Sequence, residues 1–149
     1  IQRTNLVDPF SKAKLADVLR GPQAGRFLAI TRDFAEGDTT AACSALVREF
    51  KSEGVANWIC LTYLPFLWRP DRHMFLKPGF TVEFARRIGH RFQDDYHSTP
   101  DPAIYASLLH LTSTLAAGLA DLAPADNIDL HGFMWVVVNY RDDDVGPSA

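Results

Sequence analysis

The segment from Pro100 to Pro124 constrains the fold more strongly than any other part of the chain. Asp101 can cap a helix, and Pro102 suits the first helical turn, where its missing N–H needs no partner. Apolar residues then recur at helical spacing, at Ile104, Leu108, Leu111, Leu115 and Leu122. The sequence therefore predicts a long amphipathic helix that ends before Pro124.

Similar start and stop signals predict further helices along the chain. The predicted caps are Asp8, Asp38, Thr81 and Asp126, with the helix from Thr81 running to about Phe92. Two other segments, near 58–64 and 133–140, are apolar all round, as either a buried helix or a core strand would be. The sequence favours a mainly α fold, a compact single-domain bundle of six or seven helices. One short extended segment is expected at Met74–Leu76, and the alternative is an α+β fold with short strands near 58–64 and 133–140.

Composition limits the classes of function. A chain of 149 residues with 47% apolar content fits one globular domain over 1–149, with 141–149 expected as a flexible tail. The net charge of -3 means that any nucleic-acid site must be a local basic patch. Cys43 and Cys60 match no metal-binding pattern, so buried free thiols in a reducing, cytoplasmic setting are expected. No apolar run is long enough to span a membrane, and no signal peptide is recognisable.

A basic cluster surrounds the motif WRPDRHMFLKPGFT, residues 68–81. The candidate nucleic-acid-binding residues are Arg69, Arg72, His73 and Lys77 in the loop and Arg86, Arg87 and Arg91 on the following helix. Clustered cations are what phosphate neutralisation requires, and Trp68 or Phe75 could stack on an unpaired base. One alternative is a solvated surface, in which Glu83 pairs with Arg87 and Asp71 pairs with Arg69 or Arg72. The other is that the cluster binds a small anionic ligand.

A second constellation, Asp126, Asp129 and His131, combines carboxylates with an imidazole. Such groups can serve acid–base chemistry or bind a metal. On a helix, however, Asp129 and His131 point to different faces, and both carboxylates lie where a helix N-terminus favours them. Capping is therefore the favoured role, and we expect neither a metal site nor a cofactor. The nucleophile motif GxSxG and the phosphate-binding motifs GxGxxG and GxxxxGK[ST] are absent from the sequence.

The strings RHMFLKP and DNIDLHGFMWVVV resemble an uncharacterised bacterial domain of proteins in DNA restriction or mobile-element defence. The resemblance covers Trp58 to Val138. That domain usually has glutamine and serine where this chain has His131 and Gly132, so a polar role at these two positions is not implied. The resemblance implies an association with nucleic acid and supplies no catalytic residues.

Three functional hypotheses follow. The first is a non-enzymatic helical domain that binds nucleic acid, with DNA favoured over RNA, or a nucleic-acid-associated partner, through residues 69–91. The second is a small enzyme or ligand-binding protein with a pocket near the 69–77 loop and 126–135. In that pocket His73 or Asp129 would act on a substrate held by Arg72. The third is a protein-interaction module whose basic face binds an acidic protein partner.

Overall fold

The computed structural model describes residues 5–140 and contains eight α-helices in this range. They are α1 (Pro9–Arg20), α2 (Ala24–Glu36), α3 (Thr39–Phe50), α4 (Trp58–Trp68), α5 (Pro78–Arg87), α6 (Phe92–Asp95), α7 (Pro102–Gly118) and α8 (Asn127–Asn139), with a 3-10 turn at Ala120–Leu122. The described residues form no strand, so the mainly α prediction is confirmed. The alternative strands are wrong, because 58–64 belongs to α4 and 133–139 to α8. The tail predicted at 141–149 lies outside the described residues.

Four of the five predicted helix caps are in place. The carboxylates of Asp8, Asp38, Asp101 and Asp126 accept hydrogen bonds from backbone N–H groups two or three residues on, at 2.7–3.0 Å. Each bond satisfies one of the backbone donors that a helix N-terminus leaves without an intrahelical partner. Asn57, which the sequence reasoning missed, caps α4 in the same way.

The prediction of one helix from Thr81 to Phe92 is wrong at both ends. The helix α5 begins at Pro78, and Thr81 lies buried within it. It ends at Arg87, and the chain then passes through Gly89 at a φ of 68°. That left-handed conformation is open to glycine and ends the helical path. Phe92 starts the separate short helix α6, so residues 5–140 contain eight helices instead of six or seven.

The segment Met74–Leu76 passes through the centre of the protein without regular secondary structure. All three side chains are 0% exposed. The backbone N–H of Leu76 donates to the Thr62 hydroxyl of α4 at 2.9 Å. This buried N–H therefore has a hydrogen-bond partner although the segment is neither helix nor strand. The segment thereby fixes where α5 begins, and α5 then packs along α8.

The two cysteines are free and buried, as predicted. Burial raises the pKa of both thiols to about 11. Between residues 5 and 140, no helix combines the length and the apolar character needed to cross a bilayer.

Candidate functional site

Arg69 is held by carboxylates on two sides. Its guanidinium donates to Asp71 at 2.7 and 2.9 Å, and its Nη1 donates to Glu36 at the end of α2 at 3.0 Å. These hydrogen bonds raise the pKa of Arg69 above its ordinary value. The side chain ties the loop after α4 to α2, and a phosphate would have to compete with both acids for its donors.

Arg86 and Arg87 share one carboxylate. Both guanidinium groups donate to Glu83 at 2.8 Å, and they lower the pKa of this acid to about 2. Arg87 also donates to the carbonyl oxygen of Val137 at 2.6 Å, near the end of α8. It therefore links α5 to α8 as well as pairing with Glu83.

The remaining surface cations differ in how they are paired. Arg72 lies 3.7 Å from Asp71, and Arg91 lies 3.2 Å from Asp95. Lys77 forms no ion pair with any carboxylate between residues 5 and 140. The predicted pairing of Glu83 with Arg87 and of Asp71 with Arg69 and Arg72 is confirmed.

His73 and Phe75 are not placed as a nucleic-acid surface requires. His73 is 4% exposed, with Nδ1 2.9 Å from the Tyr105 hydroxyl and Nε2 3.0 Å from the carbonyl oxygen of Ala35. Burial lowers the pKa of His73, which keeps the ring neutral. Phe75 is 0% exposed and packs against Phe66 at a ring-centroid distance of 5.9 Å. The predictions that His73 contacts phosphate and that Phe75 stacks on a base are therefore corrected: both rings belong to the core.

Trp68, the other predicted stacking residue, is 52% exposed. It borders a shallow, mostly apolar depression together with Leu28 and Arg32 of α2. Its exposure is compatible with stacking on a base, which stays a prediction.

The carboxylates at the start of α8 act as caps. Asp126 accepts from the N–H of Ile128 at 2.7 Å, and Asp129 accepts from the N–H of Ala125 at 2.8 Å. The favoured structural role of this pair is confirmed.

The pocket predicted between the Asp126 region and the 69–73 loop is closed by direct contact. The backbone N–H of Asn127 donates to the carbonyl oxygen of Pro70, and its side-chain amide donates to that of His73, both at 3.0 Å. His73 and Asp129 are each engaged elsewhere. The arrangement in which they act on a substrate held by Arg72 is therefore wrong.

A cavity of about 280 Å³ lies one turn further along α8. It is bounded by the start of α5, the middle of α8 and the described part of the N-terminal segment. The lining residues are Asn5, Leu6, Lys77, Phe80, His131, Gly132 and Trp135. Most of the lining is apolar, and among residues 5–140 Lys77 supplies its single formal charge.

His131 is the unusual group of this cavity. It is 5% exposed, and its Nε2 has no hydrogen-bond partner within residues 5–140. The rings of Phe66, Phe75 and Phe80 surround it at centroid distances of 5.5, 5.4 and 5.0 Å. Burial, and secondarily the charge of Lys77, lowers the pKa of His131 to about 4. The imidazole is therefore neutral at pH 7, and a polar atom remains unsatisfied among aromatic rings.

Comparison with protein-family models, with curated proteins and with solved structures found no match to this chain. The resemblance to a restriction or defence domain stays a prediction. Any functional conclusion therefore depends on the geometry of the site.

Sequence reasoning considered His131 only beside Asp129 and missed its role in the cavity. The usable signal was the helical spacing of His131 and Trp135, four residues apart, with Gly132 leaving space between them. The other half of the cavity, Lys77 and Phe80, lies about fifty residues earlier in the chain, beyond the reach of any local pattern.

Proposed function

We propose that this protein is a small-molecule-binding domain whose site is the cavity between α5 and α8. The observation that carries the proposal is that His131, whose buried Nε2 has no hydrogen-bond partner among the described residues, lines an apolar cavity. A buried polar atom without a hydrogen bond costs about 1–3 kcal/mol, and such atoms are uncommon in folded proteins. A ligand that hydrogen-bonds the imidazole would remove this cost.

The form of the cavity supports the same function. Ligand sites are typically concave and mostly apolar, with a few polar groups that orient the ligand. Here Phe80 and Trp135 supply aromatic surface, while Lys77 and His131 supply the polar groups. A volume of about 280 Å³ lies at the small end for such sites and suits a ligand with a single ring system.

Filling the cavity from one side tests the proposal. An added Cβ at Gly132 would meet nothing within 4 Å, so Gly132→Leu can occupy the cavity without a backbone clash. The matched control is Gly25→Leu in α2, which also has open space and lies outside this cavity. Anionic, neutral and cationic probes with a single aromatic ring can be screened by NMR. Binding would shift the signals of the His131 imidazole and the Trp135 indole.

The probe should bind the parent and Gly25→Leu with the same affinity. Its affinity for Gly132→Leu should be at least about tenfold lower, which corresponds to a loss of about 1.4 kcal/mol of binding free energy. The proposal fails if no probe shifts these signals in the parent, or if Gly132→Leu binds as well as Gly25→Leu.

Nucleic-acid binding through Arg69, Arg72, Lys77, Arg86, Arg87 and Arg91 stays a prediction of the sequence. Five of these six cations already have a carboxylate neighbour, so a phosphate would replace an existing pair instead of meeting a free charge. This reduces the gain expected from each phosphate contact. The cavity is for that reason the better-supported site.

A further inference from the structure

The charges around the cavity are unbalanced. Lys77 is the only formally charged side chain among its lining residues, and no acid lines it within the described part of the chain. The other cations nearby in sequence, Arg69 and Arg72, each have a carboxylate neighbour. Among residues 5–140, Lys77 thus has no acidic partner, and its positive charge lies beside an apolar surface, where a charge interaction is screened less than in water.

His131 adds a hydrogen-bonding group that can adapt to the ligand. A neutral imidazole has one N–H donor and one acceptor nitrogen, and the surrounding hydrogen bonds determine which nitrogen carries the proton. No described residue bonds to Nε2, so a ligand that reaches the ring can determine the tautomer. An anionic oxygen would select the tautomer whose N–H points towards it.

Both polar groups therefore favour the same ligand chemistry. A hydrogen bond from a donor to an anionic oxygen is shorter and stronger than one between neutral groups. A cationic ligand would instead be repelled by Lys77 and would meet no carboxylate among the described lining residues. The aromatic side chains of Phe80 and Trp135 offer apolar surface for a flat ring.

We infer that the ligand is a small organic carboxylate on a single flat, apolar ring system, paired with Lys77 and hydrogen-bonded to His131. This inference rests on the proposed function and specifies its ligand class. The negative charge of the bound carboxylate would also favour the protonated imidazole, which raises the pKa of His131 on binding.

Three probes of similar size share one ring and differ in charge: the anionic phenylacetate, the neutral phenylacetamide and the cationic phenethylamine. Comparing them separates the contribution of the charge to affinity from that of the ring. Their affinities for the intact chain can be measured by NMR titration of the His131 and Trp135 signals. Phenylacetate should bind at least about tenfold more tightly than phenylacetamide, the effect of one charge-assisted contact, and phenethylamine should bind most weakly.

Two variants assign this preference to Lys77. Lys77→Gln should weaken phenylacetate at least about tenfold and leave phenylacetamide unchanged. Arg72→Gln removes the same charge from the same loop, outside the cavity lining, and should alter neither affinity by more than about twofold. His131→Leu supplies a second test, because it should weaken phenylacetate while leaving Lys77 in place.

The possible failures are distinct. Equal affinity for phenylacetate and phenylacetamide, or tighter binding of phenethylamine, would overturn the carboxylate inference while leaving the ligand-binding function intact. Equal losses in Lys77→Gln and Arg72→Gln would also overturn it, because the preference would then come from the general surface charge. If all three probes leave His131 and Trp135 unshifted, the proposed function fails and the inference fails with it.

Discussion

His73 and His131 are buried to almost the same extent, 4% and 5% exposed, yet their environments differ. The carbonyl oxygen of Ala35 can only accept, so Nε2 of His73 carries the proton and Nδ1 accepts from the Tyr105 hydroxyl. Both polar atoms of that ring are satisfied. His131 has aromatic neighbours and an unpartnered Nε2. Such a costly arrangement is typical of positions where function outweighs stability.

Replacing each histidine by leucine should therefore have opposite effects on stability. His131→Leu removes an unsatisfied polar group, so we expect the free energy of unfolding at pH 7 to stay the same or rise by about 1 kcal/mol. His73→Leu removes the acceptor of the Tyr105 hydroxyl proton and the imidazole donor to the Ala35 carbonyl, and should cost about 2–4 kcal/mol. Urea denaturation measures both values. Comparable losses in the two variants would mean that Nε2 of His131 is hydrogen-bonded, for example to a buried water.

At the scale of the elements, the cavity depends on how α5 lies against α8. Phe84 of α5 and Phe133 of α8 pack edge to face at a centroid distance of 6.5 Å. Arg87 adds a polar connection, because it donates to the Val137 carbonyl near the α8 C-terminus. A cation at this end of a helix also interacts favourably with the helix dipole. Arg87 is therefore the residue through which the α5–α8 arrangement can be tested from the surface.

Arg86 provides a matched comparison for Arg87. Both pair with Glu83 at 2.8 Å, but Arg87 also donates to the carbonyl oxygens of Val137 and Val138 in α8. Arg87→Met should lower the free energy of unfolding by about 1 kcal/mol, the value of a partly exposed charged hydrogen bond. Arg86→Met should change it by less than about 0.5 kcal/mol. Urea denaturation again provides the values, and equal effects would show that the link from Arg87 to α8 contributes nothing measurable.

The same elements show which features could be read from the sequence. The caps at Asp8, Asp38, Asp101 and Asp126 were predictable because a cap acts on backbone two or three residues away. Thr81 was wrongly chosen as a cap because Pro78, which also suits a first turn, stands three residues earlier. The partners of His73 lie 32 and 38 residues away in the chain, so its burial and bonding left no local pattern.

The candidate site was harder to predict than the fold for the same reason. The sequence predicted a pocket near 69–77 and 126–135, where the cavity lies, but chose His73 and Asp129, which the fold uses for core and cap hydrogen bonds. The cavity combines residues from the N-terminal segment, the start of α5 and α8, which are far apart in the chain and are brought together by tertiary packing. Ion pairs such as Arg69 with Glu36, 33 residues apart, likewise could not be inferred from spacing.

At the scale of the whole molecule, one hydrophobic cluster includes residues from all eight helices. Three histidines, His73, His90 and His131, are buried within or beside it. Burial lowers the pKa of each below its ordinary value, that of His131 to about 4. The folded protein therefore holds these rings neutral at a pH where the unfolded chain already protonates them.

This difference in protonation predicts how stability depends on pH. Between the ordinary histidine pKa of 6.5 and the lowered folded values, the unfolded state binds more protons, so stability rises with pH and falls on acidification. From pH 7 to pH 5.5, each histidine that stays neutral in the fold should cost about 1 kcal/mol of unfolding free energy. The acids with lowered pKa, such as Glu49 and Glu83 at about 2, lose their stabilising effect only at lower pH, below their ordinary value of 4.5.

The difference in unfolding free energy between pH 7 and pH 5.5, measured by urea denaturation, should therefore come from the histidines. In His131→Leu this difference should be smaller by about 1 kcal/mol. An unchanged difference in that variant would mean that His131 is protonated in the folded protein at pH 5.5, contrary to its burial among Phe66, Phe75 and Phe80.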